Sequence, residues 1–277
     1  MAKATKTAQT AKTAKTAKIV VLTNQKGGVG KTTTACAVIA GLARKGFKTL
    51  GIDLDPQGNF GFCLGADTEG PTVYDLMKGS KTAAETIQTR DGIDIIASNI
   101  LLSGAELEFS MIGRETLLKR GLAPVKDQYD YIIIDTPPAL NILTVNAYTA
   151  ADALIVIMLP EILSLMGISQ LRETVELVKS IYNPQIETLG ILLNKYDGRR
   201  ILTHDVEDMA KMLAKELGTK VFKAKIRASV AAAEFPAHEG RNIFTYAPKS
   251  NAAKDYMLFV DELLKQKGMR LDGQKKQ

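Results

Sequence analysis

Six side chains have the types and spacing to handle a phosphate ester: Lys26, Lys31, Thr32, Asp53, Asp55 and Asp135. Three of them lie in NQKGGVGKTTT, residues 24–34, which follows the apolar run KIVVLT. Gly27, Gly28 and Gly30 permit the backbone turns that aim N–H groups at phosphate oxygens. A helix expected to begin near Thr32 turns its positive end towards the same anion. Within the run from Lys26 through Val29 to Thr33, Lys31 is placed to neutralise the β- and γ-phosphates. The Thr32 hydroxyl completes a magnesium shell, and Thr33 adds contacts to the α-phosphate. The ordinary pattern G-x-x-x-x-G-K-[ST] calls for glycine where this chain has Gln25, and it gives a second lysine, Lys26, no task.

Magnesium also needs carboxylates. IIIDTPP puts Asp135 at the end of an apolar strand, where a buried aspartate is costly unless paired or close to a metal. In IDLDPQGN, Asp53 and Asp55 are two apart, so they share one face of a strand that breaks at Pro56. One of the pair serves the metal's water shell or the loop, while Asp55, nearer the strand end, orients or deprotonates the attacking water. The metal candidates are therefore Thr32, Asp55 and Asp135. Two cysteines, Cys36 and Cys63, are too few for a disulfide framework or a metal knuckle.

These residues need a scaffold that brings strand ends together. β-Branched runs predict strands over 18–23, 48–54, 93–98, 129–135, 153–159, 188–194 and 220–226. Apolar spacing of three and four predicts helices over 32–45, 114–125, 168–181, 203–217 and 252–267. Several strands are apolar on both faces, as a parallel sheet covered by helices requires. The alternation argues a single α/β domain with right-handed crossovers over 18–267. It is flanked by a Lys/Thr/Ala-rich tail over 1–17, expected to be disordered, and a flexible basic tail over 268–277. The net charge of +6 belongs to these ends, because Ile19–Leu264 carries a net charge of −3. No apolar run is long enough for a bilayer span and no secretory signal is present, so a cytoplasmic location is expected.

The loop KGGVGKTT, the segment DLDPQGN and IIIDTPP closely resemble the ParA/MinD family of deviant-Walker ATPases, and more narrowly its ParA partition proteins. The resemblance runs from Lys18 to Leu264 and includes LLNKYDGR, Glu234-x-Pro236 and FTYAPKSNAAKDY. It implies a P-loop NTPase fold, here a mostly parallel twisted sheet of about seven or eight strands with helices on both faces. It implies ATP and Mg2+ as cofactors, with Lys31 the intrinsic lysine, Thr32 a magnesium ligand, Asp135 holding the metal's shell and Asp55 needed to activate water. In such proteins the lysine matching Lys26 reaches across an ATP-sandwich homodimer to the partner's nucleotide, so ATP favours the dimer and slow hydrolysis releases it. Asn194 becomes the adenine contact, with the loop from Ile226 and Arg227 closing the other side.

The resemblance also implies non-specific DNA binding, nucleoid association and a ParB-like adaptor that stimulates hydrolysis to move a plasmid, a chromosome or another cargo. Arg199 matches a family DNA contact, but a second such position falls on Ala231. Arg200, Lys223, Lys225 or the Lys-rich N-terminus are the candidate replacements, with Lys223, Lys225 and Arg227 alternating along one expected strand face. The competing reading is a MinD-like membrane-positioning ATPase, which needs a C-terminal amphipathic helix free to lie on lipid. The last apolar stripe reads as a core face instead, so no stable membrane association is expected. A different class is a nucleotide-driven metabolic enzyme, such as an iron–sulfur reductase, which fails on cysteine placement, or a biotin-pathway synthetase; a tyrosine kinase of the same superfamily would need membrane spans and a Tyr-rich tail.

Overall fold

The computed structural model describes residues 16–161, 168–198 and 201–271. Within them the strands β1 (Lys18–Thr23), β2 (Thr49–Asp53), β3 (Ile87–Arg90), β4 (Ile93–Ile96), β5 (Tyr131–Asp135), β6 (Ala153–Met158) and β7 (Glu187–Leu193) form one sheet. Its order is β3-β4-β2-β5-β1-β6-β7, parallel throughout except for the antiparallel pair β3–β4. β1, β2, β5 and β6 are almost wholly buried, because helices cover both faces. On one face α1 (Lys31–Arg44) packs Val38, Ile39 and Leu42 in a core shared with Tyr256, Phe259, Val260 and Leu263 of the helix Asn251–Leu264. On the other, Leu143 and Ala147 share a core with Leu171, Val175, Val206 and Ala210 from the helices Ile168–Ile181 and Ile201–Glu216.

Register places the acids. Leu22 of β1 lies opposite Asp135 of β5, and Asp135 lies opposite Asp53 of β2, so two carboxylates end neighbouring strands at the sheet's carboxyl edge. Ligands of open α/β sheets bind at this edge.

Two expectations about strands change. The segment 220–226 is not a regular strand: it meets β7 and the turn after it at the isolated bridges Ile191–Val221 and Tyr196–Arg227 and through the Ile226 N–H, which donates to the Leu193 carbonyl at 3.0 Å. Between them Glu262 accepts the backbone N–H groups of Lys223 (2.9 Å) and Ala224 (2.7 Å), which interrupts any ladder. The edge on the far side is instead β3, joined to β4 by a turn in which Asp91 (φ 47°) and Gly92 (φ 76°) are both left-handed. That D-G pair is the sequence signal for a two-residue hairpin.

Helix boundaries also shift. The stretch 114–125 divides into a 3-10 turn, Arg114–Thr116, and a short helix, Leu117–Leu122. The helix Ile142–Ala150 was not expected, because eight of its nine residues are buried and it lacks a polar face to give a period. Residues just after the last long helix also pack against the body. Met269 is buried and its carbonyl accepts a bond from the Tyr131 hydroxyl at 2.9 Å. Of the N-terminal stretch, Ala17 is buried beside β1, and residues 1–15 lie outside the described residues.

Candidate nucleotide site

β1 ends at Thr23, and the chain then turns through the glycine loop into α1. Gly28 (φ 72°) and Gly30 (φ 92°) take left-handed conformations that a side chain resists. The loop borders a cavity of about 850 Å³ lined by Gly27, Gly28, Gly30, Lys31, Thr32, Thr33, Asp55, Asn194 and Arg227. Nine of the residues singled out from sequence therefore meet at one opening. Val29 does not line it: its side chain is fully buried beneath the loop.

Lys31 lies almost entirely buried, and among the described residues its ammonium donates only to the Lys26 carbonyl, at 3.4 Å. Burial lowers its pKa, with Asp135 and Asp55 pulling the other way. An ammonium held this poorly is primed for an anion. Below it the Thr32 hydroxyl donates to Asp135 Oδ2 at 2.6 Å. Asp135 is fully buried and its Oδ1 has no hydrogen-bond partner among the described residues. Burial pushes this carboxyl up to about 7, against the pull of Thr32 and Lys31.

No group of three or more His, Cys, Asp or Glu side chains able to hold a metal occurs among the described residues. Magnesium does not require one, because it keeps several waters and takes one or two protein oxygens plus phosphates. The orphaned Asp135 Oδ1 and the adjoining Thr32 hydroxyl fit that pattern. Asp55 stands at the cavity wall, with Oδ1 accepting the Gln57 N–H at 3.0 Å.

Asp53 has a different job from Asp55. Its buried carboxylate accepts N–H bonds from Asp55 (3.0 Å), Phe60 (3.0 Å) and Gly61 (2.9 Å). It thereby fixes the turn that carries Asp55 and the start of α2 (Asn59–Cys63). Burial, and then the neighbouring Asp135, raise its pKa.

Lys26 points elsewhere. It does not line the cavity, and its ammonium pairs with Glu161 at 2.8 Å, both side chains being substantially exposed. Glu161 was missed from sequence, where only the Pro-Glu step after β6 marked it. Asn194 is buried against the loop, where its Nδ2 donates to the Val29 carbonyl at 2.7 Å. Arg227 is clamped by Asp255 through Nε (2.9 Å) and Nη2 (2.7 Å) at the cavity's far wall.

The basic row expected for DNA is not built as a strand face. Lys225 is held by Glu207 and lies over the Tyr196 ring, 4.4 Å from its centre. Lys223 is exposed, and Arg199 and Arg200 lie outside the described residues.

The closeness of Asn194 to the loop yields a prediction. A Cβ on Gly30 would stand 2.2 Å from Asn194 Nδ2 and would hold φ 92°. Gly30→Ala should therefore displace Asn194 or the loop and weaken nucleotide binding by roughly tenfold or more, given the cost of a left-handed alanine alone. Titration calorimetry with ATP reads this, and unchanged affinity would show that the loop yields easily.

A set of inward-turning glycines over a buried ammonium answers to a phosphate chain, so fold and site place the chain in the P-loop nucleotide-binding class. Comparison with known proteins makes the assignment narrower. The family model of an AAA domain, AAA_31, matches residues 17–188. The sporulation initiation inhibitor protein Soj of Bacillus subtilis is 41% identical over 251 residues, covering 88% of this chain and 97% of Soj. The chromosome partitioning protein ParA of Myxococcus xanthus is 37% identical over 252 residues, covering 89% and 88%. Among solved structures, cobyrinic acid a,c-diamide synthase from Mycobacterium smegmatis with bound ATP analog and magnesium matches at 34% identity and a TM-score of 0.78. That match covers 90% of this chain and 94% of the synthase. The chain belongs to the ParA family of partition ATPases.

None of these likenesses favours the membrane-positioning alternative. Tyr256, Phe259, Val260 and Leu263 of the last long helix are buried in the core rather than offered to lipid. Among the described residues no helix is long and apolar enough to cross a membrane.

Proposed function

We propose that this partition ATPase works as a nucleotide switch: Mg–ATP joins two copies, the pair binds DNA without sequence preference, and hydrolysis parts them. The observation that carries this reading is the division of labour between two lysines of one loop. Lys31 is buried in its own site, whereas Lys26 is directed out of that site and its ammonium forms a half-exposed ion pair with Glu161. Surface pairs of this kind are worth about 0–1 kcal/mol, so a phosphate presented by a second copy displaces Glu161 at small cost.

Within each site Gly27 to Thr33 hold the phosphates and Lys31 neutralises them. Thr32 and Asp135, with Asp55 at the rim, hold magnesium, which supplies charge neutralisation for the phosphates. Asp55 positions the attacking water, and Asn194 and Arg227 border the base. ATP is the nucleotide, turnover is slow without stimulation, and a ParB-like adaptor carrying the cargo accelerates it. DNA is contacted through phosphates by Arg199, Arg200 and Lys223, with Lys225 available only when Glu207 lets go. The protein works in the cytoplasm on the nucleoid.

The test is binding to unrelated DNA duplexes with ATP or ADP across a salt series. ATP should give salt-sensitive binding and ADP should not, and Lys223→Ala should lower the log–log salt slope by about one unit. Equal binding with either nucleotide would overturn the switch, and binding to anionic liposomes instead of DNA would favour the membrane reading.

A further inference from the structure

Two side chains following β7, both at the cavity wall, grip the phosphate loop. Asn194 Nδ2 donates to the Val29 carbonyl at 2.7 Å, and Lys195 Nζ donates to the Gly28 carbonyl at 3.0 Å. These carbonyls belong to consecutive peptide units. In a planar trans unit the N–H points opposite to the C=O. Holding both carbonyls therefore turns the N–H groups of Val29 and Gly30 away from Asn194 and Lys195. Neither N–H has an acceptor among the described residues.

The turn that makes this grip is strained. Lys195 has φ 53°, one of two non-glycine residues with positive φ among those described, and side chains rarely adopt that conformation. It is held from two sides. Asn194 Oδ1 accepts the Lys195 N–H at 2.9 Å, and the next residue is tied down by Tyr196 N–H to the Ile226 carbonyl at 2.8 Å. Strain maintained by its surroundings at the rim of a ligand site points to a task there.

We propose that Lys195 is a positioning residue of the phosphate site. With Asn194 it presets the loop's N–H groups for phosphate oxygens, so that binding does not have to reorganise the loop. Its target is the phosphate chain and not the base. This rests on the reading that the cavity takes Mg–ATP.

Titration calorimetry on the full chain separates the possibilities, using Mg–ATP and inorganic tripolyphosphate, which has no base. Lys195→Met keeps the stem and the backbone strain but removes the charge. It should weaken both ligands by a similar factor, roughly three- to tenfold for a charge-assisted bond at a partly exposed site. Lys195→Arg should restore most of the loss. The melting temperature without ligand should stay within about 2 °C of the wild type. Weakening of ATP alone would assign Lys195 to the base and overturn the proposal. So would unchanged affinity for both ligands, or a fall in ligand-free melting temperature that accounts for the loss. If the wild type binds neither ligand, the nucleotide reading of the cavity falls first and this inference with it.

Discussion

Lys26→Ala should bind ATP within about threefold of the wild type and lose adaptor-stimulated hydrolysis by a factor of about 10³ or more. The size follows from the role. A cation supplied from a second subunit to the transferring phosphoryl group is worth about 10³ to 10⁵ in rate. Sparing of affinity follows from geometry, because Lys26 stands outside the cavity and its ammonium is engaged with Glu161. Its backbone carbonyl, which receives the Lys31 ammonium, survives the substitution. Lys31→Ala is the necessary contrast. It removes the only buried ammonium in the site and should abolish detectable nucleotide binding. Calorimetry for ATP, with single-turnover hydrolysis in the presence of adaptor and DNA, distinguishes the two. Should Lys26→Ala lose affinity as severely as Lys31→Ala, both lysines serve one nucleotide and the cross-subunit role is wrong.

Asp55→Ala should trap the ATP-bound pair. Loss of a positioned base or water-orienting carboxylate costs about 10² to 10⁴ in rate, while the loop, Lys31, Thr32 and Asp135 remain to hold the nucleotide. The variant should therefore stay dimeric and DNA-bound after ATP addition, where the wild type releases with time. Size-exclusion chromatography with light scattering reads the dimer, and phosphate release reads the rate. The trap depends on an undisturbed turn. Asp53 still accepts the residue-55 N–H, and only the bond from Gln57 to Asp55 Oδ1 is lost. Asp53→Ala is the opposite case: it strips the acceptor from three N–H groups and should collapse the turn. If Asp55→Ala hydrolyses ATP at the wild-type rate, the water is oriented from elsewhere in the site.

The local shape of the site is legible in consecutive residues. A glycine loop after an apolar strand, a lysine and threonine opening a helix, and an aspartate closing a buried strand are local statements. Each is written in consecutive residues, because φ preference, strand burial and helix polarity act over a few positions. The regular β1 and the helix Ile168–Ile181 came out with their observed bounds for the same reason. The errors fell where local signals mislead. KVFKAKI has strand-like alternation, yet Glu262, far along the chain, takes two of its N–H groups. The helix Ile142–Ala150 hides because burial on all sides erases its period.

The sequence by itself determined which groups are on offer: the amides of a glycine loop, a lysine at a helix start, hydroxyl and carboxylate oxygens, and a second lysine in the same loop. Tertiary structure alone decided how those groups are divided. The register of β2 against β5 sets Asp53 beside Asp135 and leaves Asp55 at the rim, so one carboxylate staples the turn and the other faces the cavity. Glu161 meets Lys26 across 135 residues, and Lys195 meets Gly28 across 167. Such pairings come from the order of strands in a sheet, which is fixed by how whole faces bury one another. No short stretch of sequence carries that energy, so none could have announced it.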